Sequence, residues 1–384
     1  MRKMILAMAM AVAIPGLAVD AAADDVKLPP NLSWTAYGTT SSGYAQSIGL
    51  GNMLKAKYGT ELRVIPGKND VSRMLPLKVG QVNVCACGIA SYFSREGVLM
   101  FAGESWGPQR IRNLFNNIGR NGTVSMALPG DGSIQRIQDL KGKRITWVRG
   151  APALNVNTEA ALAYGGLTWD DVVKVEMPGF GQSMQAIIDG QADSAVGSTI
   201  TGIYAQIAAS PRGLFHPTFP HNDAEAWARV HAVAPYMSKQ MISNAINGES
   251  NPTGKLPYEG MSYPYPIFVG MPDLSDDTAY GLTKAVMENY EHFKEAGPGM
   301  DGYQLQNQDF VWVYAYHPGA IRYYKEAGVW TAEAQANTDL QLRREEILQK
   351  AWSDTLAGGH DEQRWLTARA AALDAAGMDV PFRN

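Results

Sequence analysis

The chain has 384 residues, 46% hydrophobic and 18% charged, with 33 Lys and Arg against 37 Asp and Glu, a net charge of −4 and two cysteines. At roughly 100–200 residues per domain, that length predicts two or three domains. The lack of a basic excess excludes a nucleic-acid partner, which needs clustered cations against phosphate, and nine Trp, 17 Tyr and 10 Phe exclude a disordered chain.

Met1 to Met4 is basic, Ile5 to Val19 is apolar, and Ala21-Ala22-Ala23 precedes Asp24. This order predicts a secretory signal over residues 1–23, cleaved after Ala23, and hence a periplasmic mature chain. No cysteine near the cut offers a lipid anchor. Beyond it no stretch reaches the ~20 apolar residues that span a bilayer, so the mature chain is expected not to be membrane-inserted.

Asn31 to Tyr37 reads as a strand, followed by the small polar loop Gly38-Thr39-Thr40-Ser41-Ser42-Gly43 and a helix from Tyr44 to Tyr58. Glu61 to Ile65 is a second strand, and a turn through Asn69 caps a helix from Val71 to Val79. Val82 to Cys87 is a third strand, opening into a loop at Gly88. Two residues apart on a strand, Cys85 and Cys87 have Cα atoms ~6.5 Å apart, near the limit for a bridge. Two small buried thiols are therefore favoured over a strained disulfide, and Cys-x-Cys without a nearby His holds too few ligands for a metal.

A second unit of the same kind follows. Val124 to Leu128 leads to strand Ile145 to Val148, helix Thr158 to Tyr164, strand Val172 to Glu176, helix Ser183 to Asp189 and strand Ala192 to Val196. Asp189-Gly190-Gln191-Ala192-Asp193-Ser194-Ala195 parallels Lys78-Val79-Gly80-Gln81-Val82-Asn83-Val84, which marks one architecture used twice. The chain then returns to the first unit through Ile267 to Val269 and a helix capped by Ser275. Glu333 to Met378 is helical throughout and reads as a packed addition without chemistry of its own. The prediction is an α/β fold of two lobes, each a mostly parallel sheet flanked by helices. Lobe I spans 31–123 plus 266–330, lobe II 124–265, and a helical extension 331–384. The hinge falls near Val124 to Leu128 and Pro264 to Val269.

Catalytic motifs are missing: there is no Gly-x-Ser-x-Gly elbow, His-Glu-x-x-His pair or phosphate loop, and the six His are scattered. No catalytic residue, metal or cofactor is expected. His317 is read as hydrogen-bonding locally at its turn, and Asp170-Asp171 and Asp276-Asp277 as helix-start residues. The chemistry gathers in polar loops at strand C-terminal ends, where open α/β sheets bind ligands against helix N-termini. Thr39, Thr40 and Ser41 offer more hydroxyls than a cap needs. Arg149, at the matching strand end of the second unit, either clamps a carboxylate or makes a surface salt bridge. Asn155, Asn157, Gly197, Ser198 and Thr199 close the same gap, with Asn69 and Gly88 opposite.

Taken together, Gly38-Thr39-Thr40-Ser41-Ser42-Gly43-Tyr44, Asp139-Leu140-Lys141-Gly142-Lys143-Arg144, Asp189-Gly190-Gln191-Ala192-Asp193 and the run from His317 to Gly328 resemble the TAXI family of TRAP-transporter solute receptors. The resemblance covers about Leu32 to Gly328. It implies a two-lobed fold like the type II periplasmic binding proteins, closing on a small organic anion. The anion would be a mono- or dicarboxylate, an acidic amino acid or aromatic acid among them, handed to TRAP permease subunits in the membrane. Carried over by position, Thr39, Thr40, Ser41 and Tyr44 match the family's binding loop. Ala151 to Asn157 departs from its Gly-Ser-Gly-Thr stretch. Rival readings are a membrane sensor subunit, a receptor for an ATP-driven importer and, last, a periplasmic enzyme acting on carboxylates.

Overall fold

The computed structural model describes residues 26–383, so the expected secretory signal lies outside the described residues. In chain order the first lobe contributes β1 (Asn31–Tyr37), α1 (Ser42–Tyr58), β2 (Glu61–Gly67), α2 (Asp70–Lys78), β3 (Val84–Cys87), α3 (Ala90–Glu96) and β4 (Arg112–Asn116). The second contributes β5 (Ser125–Ala127), β6 (Arg144–Val148), α4 (Pro152–Tyr164), β7 (Val173–Met177), α5 (Phe180–Ile188), β8 (Ala195–Gly197), α6 (Ile203–Ala209), α7 (Ala224–Val233), β9 (Ser238–Ile242) and β10 (Tyr258–Ser262). The chain then returns with β11 (Ile267–Gly270), α8 (Asp276–Glu288), α9 (Tyr290–Phe293), β12 (Ala315–Tyr316), α10 (Pro318–Glu326), α11 (Ala332–Ala357) and α12 (Glu362–Ala375).

Strands of the first lobe run in the order β12-β4-β11-β3-β1-β2. β1 pairs in parallel with β2 and β3, and β4 with β12, whereas β11 is antiparallel to both its neighbours. In the second lobe β7 and β6 are parallel, and an Ile145–Ser194 bridge carries the sheet to β8. β5 lies antiparallel to β8, and a Val124–Met261 bridge joins β10, which pairs with β9. Reversed strands stand beside each parallel set, β11 in the first sheet and β5 and β9 in the second, and of these β11 and β5 make the exchange between lobes. β5 and β11 have just crossed from the opposite lobe, so they enter their sheet from the far end. This exchange is the topology of a type II periplasmic-binding-protein fold.

Burial explains why these segments become strands. Trp34 and Ala36 of β1 face a core with Leu50, Leu54 and Phe268, while Thr35 and Tyr37 face α2 and the second lobe. A parallel strand covered on both faces has no solvent face to keep polar. α1 starts at Ser41, whose hydroxyl accepts from Tyr44 N (3.2 Å), and stops at Gly59, which adopts the left-handed φ of 68°.

Several expectations are corrected. α4 begins at Pro152 rather than Thr158: proline at the first helical position brings a preset φ and no orphan N–H, so the stretch read as a loop is two turns of helix. α5 likewise begins at Phe180, before the expected Ser183. The crossings are 117–124 and 263–266, so Val124 to Leu128 lies largely in β5 and Ile267 to Val269 in β11. The two crossings pair through Asn117 N to Pro266 O (2.9 Å) and Tyr265 N to Asn117 O (2.8 Å). Cys85 and Cys87 form a disulfide rather than two thiols; their Cα atoms lie 5.1 Å apart, inside the bridging range that an ideal strand would nearly exceed.

The extension docks on α3. Trp365 is fully buried and donates to Gly97 O (2.5 Å), and Glu96 accepts from Arg344 Nη2 and Arg369 Nη2 (2.6 Å each).

Candidate ligand cleft

Between the lobes lies a cleft with about 460 Å³ of atom-free space, part of it open to solvent. Strand C-terminal ends and helix N-termini from both sheets meet there. From the first lobe come Tyr37 at the end of β1, Ser41 and Ser42 at the start of α1, Arg73 in α2 and Gly88 after β3. From the second come Ala153, Leu154 and Asn157 in α4, Phe180 at the start of α5, and Val196, Gly197, Ser198 and Thr201 around β8. Thr123, Tyr263 and Tyr265 close it from the crossings.

Arg73 is the cation of this cleft. It is 0% exposed, its Nη2 donates to Asp70 Oδ1 (2.6 Å), its Nη1 donates to Ala86 O (3.2 Å), and its guanidinium carbon lies 3.5 Å from the Tyr37 ring centroid. Its Nε has no hydrogen-bond partner. A buried, unpartnered charged donor is costly, so this N–H marks a place where an acceptor is wanted. Asp70 is equally buried, and its Oδ1 also accepts from the Tyr37 hydroxyl. Burial, reinforced by the Asp70 charge, keeps that phenol un-ionised, well above its ordinary range.

Asn157 is held from both ends, donating to Tyr263 Oη (3.0 Å) and accepting from Tyr236 Oη (2.8 Å). Burial makes the phenols of Tyr263, Tyr236 and Tyr265 weaker acids, so all three stay un-ionised at neutral pH. Tyr37 and Phe180 stack across the cleft with centroids 5.6 Å apart. The cleft therefore offers one fixed cation, several hydroxyls and an aromatic wall. Among the described residues no three His, Cys, Asp or Glu side chains converge as metal ligands.

Of the residues expected from sequence, Ser41, Gly88, Asn157, Gly197 and Ser198 line this space. The others do not. Thr39 is exposed; Thr40 presents its carbonyl to Thr201 (3.1 Å); Tyr44 packs against the first-lobe core. Asn69 caps α2, accepting from Ser72 N (2.9 Å). Asn155 folds back on Val148, accepting from its N–H (2.9 Å) and donating to its carbonyl (3.0 Å). Thr199 accepts from Gly122 N and donates to Asn244 O. Arg149 occupies the expected strand end, but its side chain is 66% exposed and lies 4.0 Å from Glu176, so of its two readings the surface pair holds. His317 acts locally, its Nδ1 accepting from Gly319 N (3.2 Å) at the start of α10.

Sequence reading missed Arg73, Tyr37, Tyr263, Tyr265 and Phe180. An available signal was Asp70 three residues before Arg73, a helical ion pair beneath the Tyr37 strand end.

Among solved structures, the chain is similar to the alkanesulfonate-binding protein SsuA from Xanthomonas axonopodis pv. citri bound to MOPS, at 14% identity over 82% of this chain and 84% of that one, with a TM-score of 0.44. It is similar to a protein of Bordetella bronchiseptica RB50 at 14% identity over 91% and 98%, TM-score 0.44. An ancestral arginine-binding protein bound to arginine matches at 14% identity over 70% and 97%, TM-score 0.40. By sequence, one family description fits residues 36–328, nearly the whole stretch that builds both lobes and the cleft, and on that match the chain belongs to the NMT1-like family.

Proposed function

We propose that the chain is an extracytoplasmic solute receptor of the TAXI type, which captures a small organic anion between its lobes and presents it to the membrane subunits of a TRAP transporter. The chain acts by binding, without turnover. The observation that carries this is Arg73: a buried guanidinium with an unpartnered Nε on an interlobe cleft, next to the Ser41 and Ser42 start of α1 and opposite Ser198 and Thr201. A helix start and a fixed cation together replace the water that a carboxylate loses on closure. Tyr37, Phe180 and Leu154 supply an apolar wall, which suits an acid with a hydrophobic or aromatic body better than a compact dicarboxylate. Asp70 already neutralises Arg73, which also favours a monoanion. Among the described residues no helix is long and apolar enough to cross a membrane. A membrane partner would therefore meet this part of the chain from outside the bilayer.

A thermal-shift screen of mono- and dicarboxylates and amino acids tests the reading, since a ligand of the native state raises Tm by mass action. Calorimetry on the best acid should give one site per chain. Arg73→Met should weaken it by at least tenfold, and Ser198→Ala, a gentler change on the opposite wall, by several-fold. Conversion of the acid beyond one equivalent of protein would replace the receptor with an enzyme. No acid raising Tm, together with unchanged binding of any other hit by the Arg73 variant, would refute the anion reading.

A further inference from the structure

Four hydrogen bonds join the lobes around the start of α2. Phe180 N donates to Lys68 O (2.9 Å), Asn69 Nδ2 to Arg149 O (3.1 Å), Val71 N to Gly150 O (3.1 Å) and Ala153 N to Asp70 Oδ2 (2.8 Å). The last bond differs in kind. α4 has no cap of its own: Ala151 at the N-cap makes no side-chain hydrogen bond, and Pro152 brings no N–H. The Ala153 donor is satisfied instead by a carboxylate from the other lobe, a helix cap supplied in trans. The other oxygen of the same carboxylate takes Arg73 Nη2 and the Tyr37 hydroxyl, which sets the guanidinium over the Tyr37 ring. All three side chains are buried.

We infer that Asp70 is a positioning residue that couples the setting of Arg73 to lobe closure, by capping α4 only when the lobes are shut. Opening separates the carboxylate from Ala153 and leaves the positive end of α4 uncapped. Closing restores the cap, with or without a ligand, so the empty receptor already favours its closed form. The role of Arg73 rests on the receptor reading; the latch rests on the lobe contacts alone.

The test measures the distance between spin labels at the exposed Lys57 and Gln191 positions, one in each lobe, in the full described chain without ligand. Wild type should give a predominantly closed distance. Asp70→Ala should raise the open-to-closed ratio by about tenfold, the scale of one lost charge-assisted hydrogen bond. Asp70→Asn should recover much of the closed population, because its amide oxygen still accepts from Ala153; a residue that merely filled space would show no such recovery. A distribution in Asp70→Ala matching wild type overturns the inference. Should that variant fail to fold, Ala153→Pro carries the test, since it removes the N–H that Asp70 accepts at a first-turn position where proline is tolerated. It should populate the open distance, and an unmoved distribution refutes the latch. A failed acid screen sinks the receptor reading and leaves the latch standing, whereas an unmoved distance does the reverse.

Discussion

Replacing Glu96 with Gln probes how the C-terminal extension is held. Glu96 is fully buried and faces three guanidinium groups, Arg344 and Arg369 at 2.6 Å and Arg95 at 3.5 Å. Burial alone would raise its pKa, but the Arg344 hydrogen bonds and the charges of Arg344, Arg95 and Arg369 outweigh it and hold the pKa at about 2. A folded-state value below the unfolded one stabilises the protein above the unfolded pKa, and that stability drains away as pH falls toward the folded pKa. From about 4.5 down to about 2 the linkage is worth roughly 3 kcal/mol, of which about 2 kcal/mol is gone by pH 3. At pH 7 Glu96→Gln leaves the arginines buried without their counter-charge, a loss of about 3–5 kcal/mol. Urea unfolding followed by tryptophan fluorescence reads both variants at pH 7 and pH 3. The gap between them should shrink by about 2 kcal/mol at the lower pH. A gap under 1 kcal/mol at pH 7, or one that ignores pH, would show that the guanidinium cluster does not hold this carboxylate as described.

Arg149→Ala should change affinity for any cleft ligand less than twofold in calorimetry, because its side chain lies in solvent beside Glu176. Trp365→Ala should lower unfolding free energy by about 3–5 kcal/mol through loss of a buried ring and its bond to Gly97, read by urea denaturation. Gly197→Ala should impair ligand binding in calorimetry at modest cost to Tm, since its Cβ would lie 2.9 Å from both Met184 Cε and Tyr204 Oη at the cleft wall.

Much of the fold was legible because short apolar runs alternated with polar loops and capped helices. β1 through β3 and the Ser275 start of α8 follow directly from those signals. The cleft was legible as a place rather than as a set of contacts. Ser41, Asn157 and Ser198 sit at strand ends and helix starts, which sequence can locate. Which way a side chain leaves those ends depends on tertiary packing. Arg149 sits at the right strand end with its side chain turned outward, while Arg73, inside a short helix where arginine ordinarily faces water, is buried against Asp70, Ala86 O and the Tyr37 ring of its own lobe. Asn155 and Thr199 were polar and well placed, yet their bonding capacity is taken up by the backbone nearby. The start of α4 was hidden because Pro152 reads as a breaker until its position at the first helical residue is known.

The exchange of β5 and β11 sets an order of assembly on a chain made from its N-terminus. Residues 125–262 supply every strand of the second sheet in one uninterrupted stretch, so that lobe has its parts as soon as it emerges. The first sheet lacks its middle strand until Gly270 is made, because β11 wedges between β3 and β4. For more than two-thirds of synthesis the N-terminal strands therefore wait as an unfinished half-sheet.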